Sequence, residues 1–187
     1  MDLRAARSAG EDRTYELSTS AERADEALVE LAARVIDLAR RARLTIASAE
    51  SCTGGLVGHV LTEVPGASDV FRGGIIAYAD EVKVVSLGVL PSTLAAHGAV
   101  SAQTAVAMAE GVRGALGVDL AVAVTGIAGP SGGSADKPVG LTYVAVADAT
   151  GHDVQRFHWD GDRHANKVAS VGAVLDLLMA RLPRVVP

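Results

Sequence analysis

Ser51 stands in the run Ala49-Glu50-Ser51-Cys52-Thr53-Gly54-Gly55, where a short apolar segment gives way to helical spacing. A serine at such a strand-to-helix turn lies beside backbone N–H groups that have no intrahelical acceptor. Those donors, with the helix dipole, stabilise developing negative charge. A hydroxyl is a weak nucleophile until a base takes its proton, and serine–lysine pairs are an alternative to serine–histidine pairs. Lys83, in Tyr78-Ala79-Asp80-Glu81-Val82-Lys83, is the candidate base, with Tyr78 to relay or orient the proton. The lysine can act so only if burial or a neighbouring cation favours its neutral amine, and the carboxylates of Asp80 and Glu81 would oppose that. The chemistry this spells is attack of Ser51 on a carbonyl carbon while nearby N–H groups hold the oxyanion. Glu50, Thr53, Gly54 and Gly55 are expected to border the substrate. Taken alone, the same run also describes a helix capped by Ser51 or Thr53. Cys52 is the alternative nucleophile, but no histidine has a clear local relation to it, and a lone cysteine usually packs as a small apolar residue.

Two further stretches carry chemistry. From Thr125 to Gly140 a glycine-rich crossing joins two apolar segments, and so long a connection is uncommon unless the backbone must approach a ligand or form a lid. Thr125, Gly126, Gly129, Gly132, Gly133 and Lys137 would then form a substrate wall, with N–H groups and the lysine meeting a phosphate or carboxamide; a plain flexible loop is the other reading. The order Gly-x-x-x-x-Gly-Lys-Ser/Thr is absent, so this is no P-loop. Further on, Gly161-Asp162-Arg163 precedes Lys167, and residues four apart share one helix face. Arg163 and Lys167 could bind a phosphate there, or simply solvate a helix start capped by Asp162.

These side chains must be positioned by alternating elements. Apolar spacing predicts helices over 21–43, 53–63, 81–87, 91–97, 101–116 and 162–182, and strands over 44–49, 70–79, 119–125, 139–147 and 154–159. Ser20, Ser101 and Asp162 are the expected N-caps, and Gly88 ends the short helix that carries Lys83. Strands interleaved with helices imply an α/β fold, here a three-layer α/β/α sandwich in one domain over 21–182. Residues 1–20 read as a flexible leader and 183–187 as a tail. A short turn at Gly151 makes the last strands antiparallel, so the sheet is mixed. No internal repeat is present.

Composition narrows the function classes. With 187 residues, one compact domain is the default. A net charge of -5, with no basic run interleaved with aromatics, argues against a nucleic-acid surface. The single Cys52 excludes an internal disulfide, and no Cys or His cluster has zinc-ligand spacing. No apolar run reaches the roughly 18 residues of a membrane helix, and no secretory signal core opens the sequence. A cytoplasmic setting is expected.

In this order and spacing, the four stretches resemble the C-terminal domain of the competence/damage-inducible protein family CinA, over about 21–182. Ala49 to Gly55, Thr125 to Pro130, Gly132-Gly133 and Lys137-Pro138-Val139-Gly140 carry the resemblance, supported by Gly161-Asp162-Arg163. Stand-alone members of that family are nicotinamide-nucleotide amidohydrolases. The resemblance therefore implies hydrolysis of the carboxamide of nicotinamide mononucleotide to nicotinic acid mononucleotide and ammonia, in pyridine-nucleotide recycling. Ser51 would be the nucleophile, Tyr78 and Lys83 its activating partners, the partner a small pyridine nucleotide, and the assembly a homo-oligomer. The sequence departs from many relatives in carrying Ala79-Asp80 where they have Ser-Asn, and Lys167 where they have Arg. A lysine lacks the bidentate fork of arginine, so phosphate affinity should differ. Longer members carry an N-terminal domain whose activity is not expected of this sequence. Two alternatives stand beside the amidohydrolase: a hydrolase of a different amide, and a non-catalytic nucleotide- or partner-binding module.

Overall fold

The computed structural model describes residues 19–183. The expected leader lies outside them up to residue 18, as do residues 184–187 of the expected tail. The described residues form six helices and five strands. They are α1 (Thr19–Ala42), β1 (Ile46–Glu50), α2 (Leu56–Thr62), β2 (Phe71–Ile76), α3 (Asp80–Leu87), α4 (Pro91–His97), α5 (Ala102–Leu116), β3 (Leu120–Gly126), β4 (Leu141–Asp148), β5 (Gly151–His158) and α6 (Arg163–Arg181). One short 3-10 turn, Ala67–Asp69, was not foreseen.

The sheet runs β2-β1-β3-β4-β5. β1 pairs parallel with both β2 and β3, whereas β3–β4 and β4–β5 are antiparallel, so the sheet is mixed as expected. The hairpin that reverses β4 into β5 turns through Ala149 and Thr150, and Gly151 already belongs to the strand. Ser20, the expected N-cap of the first helix, falls inside α1. Ser101 and Asp162 do cap α5 and α6, accepting from the N–H groups of Thr104 (3.2 Å) and Ala165 (2.8 Å).

Strand alternation divides the sheet into two unlike faces. On one, Ile46, Leu120, Val122, Val124, Val144 and Val146 pack beneath α1, α2 and α6. On the other, register aligns Ala47 with Ala121 and Ala147, and Ala49 with Ala123 and Ala145. Two rows of methyl groups thus face α5, whose Ala105, Met108, Ala109 and Val112 are buried against them, with α3 and α4 packed beside α5. Small side chains let α5 lie close to the sheet, and Gly111 of α5 lies so near the main chain of Leu87 that a Cβ would collide with it. This completes the expected three-layer α/β/α sandwich. Among the described residues no helix is long and apolar enough to cross a membrane.

Because the alanine rows leave no spare volume, Ala123→Leu should destabilise the protein by about 1–3 kcal/mol, as overpacked cores do. Urea unfolding would measure it, and an unchanged midpoint would mean that α5 is not seated on those methyl groups.

Candidate functional site

Parallel pairing aligns Glu50 with Val124 and Ile76, so the ends of β1, β2 and β3 open at one edge of the sheet. A crevice outside the carboxyl ends of parallel strands is where α/β sheets bind ligands. There the backbone is clamped from both sides, the Glu50 carbonyl accepting from Ala77 N–H at 2.8 Å and Ser51 N–H donating to Val124 O at 3.0 Å. The helix then starts later than its apolar spacing suggested, at Leu56 rather than Thr53. Gly54 and Gly55, with φ of +65° and +99°, bend the chain through Ser51–Gly55 before α2 begins.

Glu50 occupies the inside of that turn. It is 2% exposed, and its carboxyl oxygens accept from Thr53 Oγ1 (2.7 Å), Gly55 N (3.0 Å), Val57 N (3.0 Å) and Gly58 N (2.9 Å). This corrects two expectations. Glu50 and the fully buried Thr53 do not line the cleft, and the N–H groups of Gly55, Val57 and Gly58 at the start of α2 are taken by Glu50 instead of being free for an oxyanion. The cause is the short side-chain reach across the turn, which satisfies donors that would otherwise be orphaned. Nor do Gly54 and Gly55 line the cleft; their work is to turn the chain, and Gly54 lies where a Cβ would come 3.8 Å from Lys167 Nζ.

The cleft itself, of about 250 Å3, gathers the central predictions: Ser51, Tyr78, Lys83, Thr125, Gly126, Gly129, Gly132 and Arg163 all line it, joined by Cys52, Asp80, Ala99 and Val100. Ser51 is 8% exposed, and its hydroxyl has no hydrogen-bond partner among the described residues. Lys83 is 1% exposed, carried on the first turn of α3, with Nζ donating to the Tyr78 carbonyl at 3.2 Å and facing Asp80 Oδ1 at 3.4 Å. These two contacts fix where the amine sits in the cleft. Glu81, the other carboxylate of that run, is exposed.

Tyr78 splits its two groups. Its carbonyl holds Lys83, while the side chain, 62% exposed, has its hydroxyl at Arg163 Nη2 (3.2 Å). Arg163 also donates to the Gly129 carbonyl at 2.8 Å, and so joins α6, the glycine-rich loop and the link between β2 and α3. Asn166, one helical turn on and 2% exposed, donates to the Ala128 carbonyl at 3.1 Å and accepts from Gly161 N–H at 3.0 Å. Asn166 was not among the expected site residues, although its spacing of three from Arg163 marks a shared helix face as surely as the spacing of four to Lys167. Lys137 and Gly133 stay outside the cleft: Lys137 Nζ donates to the His97 carbonyl at 2.6 Å and ties the loop to the end of α4. Thr125 is buried and donates to the Ala99 carbonyl at 2.8 Å, which makes it part of the wall's framework.

Cys52 is ruled out as nucleophile by its surroundings. Burial pushes its thiol up to about 12, against smaller opposing effects that include Lys167 and Arg163, so at neutral pH it stays protonated. Among the described residues no group of acidic, histidine and cysteine side chains could hold a metal ion. A wider hollow of about 430 Å3 lies between α4, α5 and β5, with His97, Glu110 and His152, but it holds no serine, cysteine or lysine. What the 250 Å3 cleft can do is present the free Ser51 hydroxyl and the buried Lys83 amine to a carbonyl compound.

The CinA C-terminal domain family model matches residues 28–182. A CinA-like protein of Geobacter sulfurreducens is 50% identical over 148 residues, 79% of this chain and 36% of its own length. One of Salinibacter ruber is 49% identical over 148 residues, with the same coverage of 79% and 36%. The chain thus spans about a third of the length of the curated relatives it matches. The crystal structure of the competence/damage inducible protein CihA from Agrobacterium tumefaciens superposes with a TM-score of 0.80 at 42% identity, covering 82% of this chain and 94% of that one.

The state of the thiol gives a direct check. At pH 8 the native protein should react with iodoacetamide at Cys52 at least about a hundred-fold more slowly than the urea-unfolded chain, because only the thiolate attacks. The native rate should climb only as pH approaches 12; equal rates at pH 8 would restore Cys52 as a nucleophile.

Proposed function

The chain belongs to the CinA C-terminal domain family, and from that membership and the contents of the cleft we propose that it is a serine amidohydrolase acting on nicotinamide mononucleotide. The single observation that carries the reading is a serine with an unengaged hydroxyl sharing one cleft with a lysine that is 1% exposed. A nucleophile and a desolvated amine in one pocket are the parts of serine–lysine catalysis.

In this reading the neutral amine of Lys83 takes the Ser51 hydroxyl proton as Oγ attacks the carboxamide carbon. The C–N bond then breaks, and ammonia leaves with the proton returned from Lys83. Water, deprotonated in turn by Lys83, adds to the ester carbon and releases nicotinic acid mononucleotide and free Ser51. Tyr78 contributes its carbonyl, which orients Lys83, and its hydroxyl, which braces Arg163 at the cleft mouth. At about 250 Å3 the cleft is at the small end for a ligand site, which suits the carboxamide-bearing ring. The ribose phosphate would run outward along Arg163 and towards Lys167, whose charges match it. No metal or cofactor enters these steps. A homo-oligomer in the cytoplasm is part of the same proposal.

The purified protein should release ammonia from nicotinamide mononucleotide. Ser51→Ala and Lys83→Ala should each lower kcat by at least about a thousand-fold; activity that survives both changes would refute the mechanism. Turnover of other small amides in place of the nucleotide would redirect the substrate and keep the chemistry. Ligand-dependent thermal stabilisation without turnover would instead favour a binding module.

A further inference from the structure

Glu50 immediately precedes Ser51, yet its side chain points away from the cleft and into the layer beneath α2. Its two oxygens collect four donors spread over the next eight residues: one hydroxyl, from Thr53, and three backbone N–H groups, from Gly55, Val57 and Gly58. The backbone of Glu50 is tied to Ala77, just past β2, and that of Ser51 to β3. Every rotation of the chain that would swing Ser51 must therefore break several of these bonds at once.

The donors Glu50 removes matter as much as the turn it holds. Gly55, Val57 and Gly58 cannot serve a substrate oxygen, and Gly54 N–H is bonded to the Ser51 carbonyl at 3.2 Å. The N–H groups of Cys52, Thr53 and Leu56 bond to no other residue among those described, and of the three only Cys52, whose N–H has its own sulfur as neighbour, lines the cleft. We infer that Glu50 is a positioning residue, which sets the attack geometry of Ser51 and leaves the Cys52 N–H as the turn's donor to the oxyanion. Oxyanion donors are effective when held in place before the reaction. A buried carboxyl cross-link under the nucleophile's turn supplies that rigidity. The inference rests on the serine-hydrolase reading in one respect, that Ser51 is the attacking group.

Glu50→Gln is the informative change. It keeps the size of the side chain but turns one of two acceptors into an NH2, which then faces backbone donors. Ammonia release from nicotinamide mononucleotide and labelling of Ser51 by a fluorophosphonate are measured together, with labelling amplitude counting competent sites and labelling rate reporting their reactivity. In Glu50→Gln, kcat per competent site should fall by about a hundred-fold or more while KM changes little, and labelling should slow in parallel. A structural role alone would lower the amplitude and leave both rates per site unchanged, and that result overturns the inference while the substrate reading stands. If the wild type labels at Ser51 but releases no ammonia, slower labelling in Glu50→Gln still upholds the inference, and the substrate reading falls. A wild type that neither labels nor turns over overturns both. Should Glu50→Gln fail to fold, Thr53→Val removes one donor and keeps the carboxyl group. It should slow labelling several-fold per site, and an unchanged rate would overturn the inference.

Discussion

A carboxyl group almost sealed from water, that of Glu50, is the constraint on which this site is built. Buried polar groups are tolerated when their hydrogen bonds are complete, and this one has four donors within 3.0 Å. Those bonds couple the end of β1 to the start of α2, so the turn between them is part of the packed body instead of a surface loop. Two glycines with positive φ make the turn possible, and the side chain beneath makes it rigid. The alanine rows under α5 act on the opposite face in the same sense, drawing the helix that follows Ala99 and Val100 against the strands that end at the cleft.

The second requirement is a charge balance in a small space. Lys83 is buried beside Asp80 and the Tyr78 carbonyl, while Arg163 is held between Gly129 and the Tyr78 hydroxyl. Tyr78 thus stands between the two cations, with its backbone serving one and its side chain the other. Arg163 and Asn166 fix the carbonyls of Gly129 and Ala128, so the first part of the glycine-rich loop is pinned by α6. Lys137 pins the far part to α4. The crossing is a wall with two anchors, and the cleft's shape follows from them.

The layered fold could be read from the sequence because hydrophobic periodicity reports which face of an element is buried, and every strand and helix needs such a face. The caps at Ser101 and Asp162 and the antiparallel pairing of β4 with β5 were legible for local reasons: their hydrogen bonds close within a few residues. The turn after Ser51 was legible as a turn, but the delay of α2 to Leu56 shows Gly54-Gly55 overriding the apolar spacing. Glu50 was misjudged because a carboxyl group beside a serine in a glycine-rich run suggests a ligand contact. Only the three-dimensional path of the next eight residues turns it inward. Lys137 was misjudged likewise, since its acceptor, the His97 carbonyl, lies 40 residues away in sequence. Tyr78 continues the outward rhythm of Ile76 two residues earlier, but an isoleucine in an apolar run gives no sign of facing solvent, so this orientation was not legible in the sequence.

The central claim is that Ser51 forms a covalent bond to the carbonyl carbon of an amide. Rapid acid quench of the protein during turnover of nicotinamide mononucleotide, followed by peptide mapping by mass spectrometry, tests this most directly. The account predicts a peptide containing Ser51 heavier by the mass of the substrate less ammonia, with the ester located on the serine. Ammonia release with that peptide unmodified through the pre-steady-state phase, or an adduct on Cys52 instead, would contradict it.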